Sequence, residues 1–380
     1  MKTTTLLRRD GVWTPAGPEL ARAQLVLVFA SGQALREDAG LLSELQARAP
    51  AAEIVGCSTA GQIAGATISD EVAVATVIEF ATTRVQVAVE TVADSHESAG
   101  IGRRLAETLA GPELRHVLVV SEGLHVDGAA LSDGLREGLP EGVTATGGLA
   151  GDGTRFAETL VVSGTAVAAD KVVAIGLYGA DLEVSWGSGA GWSQFGPRRR
   201  VTRSRGNVLY ELDGKPALSL YKTYLGDRAS GLPATGLLFP LELLSEDGNA
   251  PSVVRTILAV DEVEQSVTFA GRVPQGASVQ LTKLTVERLI RAAEQAGEGE
   301  ARHPSPQQAE LAFIVSCVGR RLLLDQRTEE ELEAMLQAVG GVRAATGFYS
   351  YGELGPRGFT RDCHLHNQTL TYTLLGERTD

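Results

Sequence analysis

Three stretches of the chain carry the same succession of apolar and polar positions. Leu25-Val26-Leu27-Val28-Phe29 is a short apolar strand. A helical stretch through Leu41, Leu42 and Leu45 follows, then Glu53-Ile54-Val55 and a glycine-bearing turn, Gly56–Gly61. Val117-Leu118-Val119-Val120 repeats the plan through Leu131 and Leu135 to Val143-Thr144-Ala145 and the turn Gly147–Gly153. Leu311–Val315 repeats it again through Leu332, Met335 and Leu336 to Val342–Ala345 and the turn Gly347–Gly352. About 30 to 35 residues separate strand start from turn each time, the length of one strand–helix–strand unit. The pattern predicts divergent copies of one α/β unit, each placing its glycine turn just beyond a strand end, the edge where such sheets bind ligands.

Further alternating strands are expected after each turn, at Val72–Phe80, Glu158–Gly164 and Asn367–Leu375. Ser95–Leu109 reads as a helix, with Ile101, Leu105 and Leu109 at i, i+4 and i+8 and Gly111-Pro112 as its stop. The glycine-rich passage Gly187–Trp192 reads as a boundary, and beyond Pro197 the texture changes. A basic strand Arg198–Arg205, a strand Val208–Leu212, a helix starting at Pro216 and short strands as far as Leu284 predict an antiparallel insertion. The expected fold class is α/β: repeated strand–helix–strand units forming two mixed-sheet domains, residues 1–196 and 197–380, the second carrying the insertion.

Composition narrows the function. A net charge of −13 over 380 residues excludes a non-specific nucleic-acid binder and disfavours an anionic membrane surface. The N-terminal residues lack the apolar core of a signal peptide, and no apolar run approaches a membrane span, so a cytoplasmic protein is expected. The cysteines Cys57, Cys317 and Cys363 show no CxxC spacing, so neither a disulfide framework nor a structural zinc site is predicted.

The glycine turns belong to a longer ordered set: GCSTAG (56–61), GGLAGDG (147–153), GWSQFGP (191–197), GNVLYELDG (206–214), GFYSYGELGP (347–356) and HNQT (366–369). In this order and over nearly the whole chain, the set resembles the FIST family, bacterial signal-transduction proteins with a FIST N and a FIST C domain. The resemblance implies a non-enzymatic sensor that binds a small ligand and regulates a histidine kinase or a cyclic-di-GMP enzyme; a homodimer is compatible with that role. It also implies two ligand classes, amino-acid-like metabolites and, in one subgroup, heme with nitric oxide as the signal.

The residues offer candidates for each. His125 lies between a strand and a helix, where a rigid imidazole could take heme iron, with Asp127 placed to orient the ring. A ligand near the turns would meet Gly56, Ser58, Thr59, Gly147, Gly148 and Gly151, with Arg199 and Arg203 from one face of the basic strand supplying charge for a carboxylate. An amino acid or small carboxylate held by Ser58, Thr59 and these arginines is the rival to heme. His364 and His366 share a strand face but lack an evident third metal ligand, and His303 sits in a proline-bearing loop. A thiol-dependent enzyme using Cys57 is a further alternative; it would require a depressed thiol pKa and a nearby base.

Overall fold

The computed structural model describes residues 1–16, 20–244, 253–298, 309–357 and 360–378; His303 lies outside them. The expected strand–helix–strand units, mixed sheets and antiparallel insertion are all present. Each unit runs outer strand, strand, helix, parallel strand, hairpin, returning strand, and in the first unit Val12–Thr14 extends the sheet beyond the outer strand. In the first unit these are Lys2–Arg9, Leu25–Ala30, the helices Gly32–Glu37 and Gly40–Arg48, Glu53–Ser58, the hairpin Gln62–Ala64/Thr67–Ser69, and Ala73–Glu79. The second has Arg84–Thr91, Leu114–Ser121, Gly128–Gly138, Thr144–Leu149, Val161–Ser163/Ala166–Ala168 and Lys171–Tyr178, with an added helix Ser98–Leu109 after its edge strand. The third has Leu182–Gly189, Leu311–Cys317, the helices Val318–Leu324 and Thr328–Val339, Ala344–Ser350, Gly352–Pro356/Cys363–His366 and Leu370–Glu377. The two parallel strands of each unit need a crossover, and the helices supply it.

The hairpins do not stay at home. The first unit's hairpin pairs with the third unit's strand Ala344–Ser350, the second unit's with Glu53–Ser58, and the third unit's with Thr144–Leu149. The exchange is cyclic, so every sheet contains strands from two units and the three sheets close into a ring.

Burial follows the strand period of two. Leu25, Leu27 and Phe29 point inward and meet Leu118 and Val120 of the second unit and Phe313 and Val315 of the third in one shared core. At its centre Phe29 stacks on Phe313 and Phe348, with centroids 6.1 and 5.0 Å away, and the latter two rings tilt against each other at 6.3 Å. Val26, Val28 and Ala30 point outward beneath the first unit's own helices. Sheets covered on both faces require unbroken apolar strands, which is why these segments read as solid hydrophobic runs.

The insertion occupies the gap between the third unit's edge strand and its helix Val286–Gly297. The chain enters on Ser193–Arg205 and leaves on Ser278–Lys283, and Ser193 pairs with Lys283, so entry and exit lie side by side. Its eight-stranded antiparallel sheet has Val253–Arg255 at one edge and Ile257–Asp261 at the other. Only Thr256 separates these two strands in sequence, so the sheet curls until its edges meet. Residues 196 and 197 fall within the strand Ser193–Arg205.

Candidate functional site

Three corners meet where the units converge. The Ala60 N–H donates to Tyr349 O at 2.8 Å, the Gly151 N–H to Ser58 O at 3.0 Å, and the Tyr351 N–H to Leu149 O at 3.1 Å, a closed cycle of equivalent bonds. The glycines before the corners are not turn residues. Gly56, Gly147 and Gly148 lie inside Glu53–Ser58 and Thr144–Leu149, and the chain bends only after them. A Cβ on Gly56, Gly147 or Gly347 would stand 1.7–1.9 Å from the carbonyl oxygen of Val28, Val119 or Ile314, its partner on the parallel strand. These glycines let neighbouring strands close on each other. Gly151 is the one of the set at a corner, where a Cβ would press on Ala60 N at 2.9 Å.

Ser58 and Thr59 are buried and serve the corner itself. Ser58 Oγ accepts from Leu160 N at 2.8 Å, and Thr59 Oγ1 accepts from Gly61 N at 3.0 Å. Arg199 and Arg203 lie on the insertion: Arg199 pairs with Asp213 at 2.9 Å and donates to the Tyr224 hydroxyl, while Arg203 pairs with Glu211 at 3.0 Å over the Tyr210 ring. Among the described residues no contact joins these arginines to Ser58 or Thr59. Cys57 is in the central core, and burial pushes its thiol well up, opposite to what a thiolate nucleophile needs.

His125 lies elsewhere, in a cleft of about 570 Å³ between the second unit and the insertion. Its floor and walls include Leu149, Phe156 and Leu258, with His96 and Arg272 also lining it and Tyr351 reaching in from the third unit. The loop that carries His125 is pinned by Glu122, fully buried at the end of its strand. The Glu122 carboxylate accepts the backbone N–H groups of Leu124, His125 and Val126. The same carboxylate lies 3.3 Å from His125 Nδ1, leaving an imidazole 74 % exposed to the cleft. Glu122, not Asp127, therefore orients the ring. Asp127 caps the helix Gly128–Gly138 through Ala129 N and Ala130 N and pairs with Arg272 at 3.0 Å, tying the second unit to the insertion.

Tyr351 stacks on Phe156 at 4.3 Å, and its hydroxyl bonds the Asp152 carboxylate. Burial alone would raise the Asp152 carboxyl, but the N–H groups of Glu158, Ala157 and Phe156 together with Tyr351 hold it below its ordinary value. The sequence pattern does not reveal Glu122, Asp152, Tyr351 or Arg272 as site residues. Tyr351 and Arg272 find their partners on another unit, while Glu122 and Asp152 turn back onto backbone N–H groups a few residues further on; only the position of Glu122, directly after an apolar strand, is a local signal.

The ordered motifs and the interlocked α/β ring bear on one family. The FIST N domain matches residues 24–215 and the FIST C domain residues 217–356, and the chain belongs to the FIST family, whose domains are sensory domains of signal transduction. An uncharacterized protein of Methanocaldococcus jannaschii is 26 % identical over 206 residues, 50 % of this chain; the match spans 38 % of that protein's length. The structure of PurLQS from Thermotoga maritima superposes at a TM-score of only 0.22 with 8 % identity, covering 78 % of this chain and 73 % of that one. No helix among the described residues is long and apolar enough to cross a membrane.

Proposed function

We propose that the protein is a sensor that takes a small ligand into the His125 cleft and signals by a change in how the insertion sits on the three-unit ring. The observation that carries this reading is the origin of the cleft walls. Ser95, His125 and Asn207 belong to the segment matched by the FIST N domain, and Leu258, Arg272 and Tyr351 to that matched by FIST C. A guest touching both segments has different contact energy in each of their relative arrangements, which is what a ligand needs to shift a conformational equilibrium. The Asp127–Arg272 bridge is the polar contact such a shift would strain first. A histidine kinase or a cyclic-di-GMP enzyme would read the outcome.

The side chains at the cleft fit heme as the guest. His125 presents an imidazole backed by a buried carboxylate on Nδ1, the arrangement that fixes tautomer and direction in metal-ligating histidines. Leu149, Phe156 and Leu258 would contact the apolar macrocycle, and Arg272 would meet a propionate. When bound, heme would supply an iron able to take a diatomic gas such as nitric oxide. An amino acid or other small carboxylate is the second reading, and it too finds Arg272 in the cleft.

A thermal-shift screen with hemin and a metabolite panel tests the reading, since a bound ligand raises the melting temperature once its concentration exceeds Kd. Stabilisation is expected to vanish in Leu258→Trp, which fills the cleft from an exposed position. With hemin, the Soret band is expected to shift in His125→Ala. Stabilisation indifferent to Leu258→Trp would place the ligand outside the cleft.

A further inference from the structure

A second polar locus lies on the other side of the strand Cys363–His366. Leu365 faces the cleft, while His364 and His366 alternate to the opposite face. Here the edge strand Val253–Arg255 of the insertion runs beside Cys363–His366 of the ring. Arg255 is 5 % exposed and has only neutral partners: Nε donates to Arg272 O at 3.0 Å, and Nη1 to Val254 O at 3.3 Å and Asn367 Oδ1 at 3.5 Å. Its Nη2 makes no hydrogen bond among the described residues.

Arg357 follows the paired strand Gly352–Pro356. Its Nε is buried without a partner, and its guanidinium has no ion pair among the described residues. The carboxylates near enough to act on these arginines are already taken, Asp127 by Arg272 at 3.0 Å and Asp133 by Arg136 at 2.9 Å. Burial, then mutual repulsion with Arg357, lowers Arg255 to about 9; burial lowers Arg357 to about 10. Burial, then the Arg357 charge, lowers His364 to about 3, so that imidazole is neutral and can donate one N–H. Buried cations are normally paired, and a guanidinium fork matches the oxygens of a carboxylate or a phosphate.

We propose that this seam between the insertion and the third unit's hairpin binds a small oxyanion, a carboxylate or phosphate group, between Arg255 and Arg357 with His364 beside them. The site is distinct from the His125 cleft, which it meets at the Arg255 Nε bond to Arg272 O. By bridging insertion and ring, a bound oxyanion would hold the two together.

Equilibrium unfolding of the full chain at constant ionic strength tests this, with sodium chloride replaced stepwise by sodium phosphate in one arm and sodium succinate in the other. At least one anion is expected to raise the midpoint saturably above the chloride control, and which arm responds separates a phosphate from a carboxylate ligand. Apparent Kd is expected to weaken ~10-fold or more in Arg255→Met and Arg357→Gln, and to stay unchanged in His125→Ala and Leu258→Trp. In chloride alone, Arg255→Met is expected to be at least as stable as the parent, because it removes a buried unpaired charge. Should Arg255→Met fail to fold, Arg357→Gln decides. Absence of any rise above chloride in both arms, or a rise that persists in Arg357→Gln, overturns the proposal; loss of the effect in Leu258→Trp would assign it to the cleft instead.

Discussion

At the scale of single residues, two kinds of buried group dominate: glycines that let strands touch, and acids whose charge burial opposes. Gly147→Ala would put a methyl group 1.9 Å from Val119 O at a φ of +152°. The cost is expected to exceed ~3 kcal/mol, because the clash is with backbone in a sheet covered on both faces. Gly153→Ala, at φ +74° with no neighbour within 4 Å, is expected to cost only ~1 kcal/mol of backbone strain. Urea midpoints of the two variants check the contrast; equal losses would mean that Gly147 matters for its φ alone. Glu353 is the second kind. Its carboxyl accepts from Ser350 Oγ at 2.7 Å and Thr369 N at 3.2 Å, yet burial pushes it up to about 8 from an ordinary 4.5. The folded protein therefore keeps this proton where the unfolded chain has released it. Stability from this group is fully present below pH ~4.5 and is lost as pH rises through 8, at most ~5 kcal/mol. Glu353→Gln is expected to flatten the fall in stability between pH 5 and 8.5, as read from urea midpoints across that range; an unchanged slope would refute the assignment.

At the scale of elements, the third unit is joined by one buried ion pair. Glu331, on the helix Thr328–Val339, accepts from Arg320 Nε at 2.9 Å and Nη2 at 2.7 Å, from Ser316 Oγ at 2.9 Å and from the Tyr349 hydroxyl at 2.7 Å. Arg320 also reaches Ala190 O and Leu289 O, so strand, helix and insertion junction share one guanidinium. Glu331→Ala would leave that cation buried and uncompensated, and a loss of ~3–5 kcal/mol is expected in chemical denaturation. The units themselves were legible in the sequence because parallel strands covered on both faces need solid apolar runs, and Leu25–Phe29 and Leu311–Val315 are such runs. The hairpin exchange was not legible. Gln62–Ala64 and Val161–Ser163 are three-residue strands whose partners lie on other units, and no local periodicity names a distant partner. For the same reason the candidate His125 ring goes to Asp127 on sequence alone, whereas the structure has the Glu122 carboxylate 3.3 Å from Nδ1. Charge order along the chain does not say which carboxylate turns inward.

At the scale of the whole molecule, ring and insertion are built on different principles. The ring cannot be divided, since each sheet borrows a hairpin from another unit and the central core draws on all three. The insertion has its own core, from Val201 and Leu209 through Tyr221 and Phe269 to Leu281, with no residue of the ring in it. Among the described residues, its polar contacts with the ring include Arg272 with Asp127, Arg255 with Asn367, and Gln368 Nε2 with Leu237 O at 3.4 Å. The proposed signalling requires this seam to move without unfolding either side. Because Ser193 and Lys283 are paired neighbours, the insertion can be excised and its ends rejoined by a short Gly-Ser linker. The excised protein is expected to retain the ring, giving a single cooperative unfolding transition and dispersed methyl resonances. It is also expected to lose every ligand that Leu258→Trp or Arg357→Gln blocks in the intact chain. A ring that collapses without the insertion would show the seam to be part of the folding unit, and a signal would then have to pass by some route other than the insertion moving as a body.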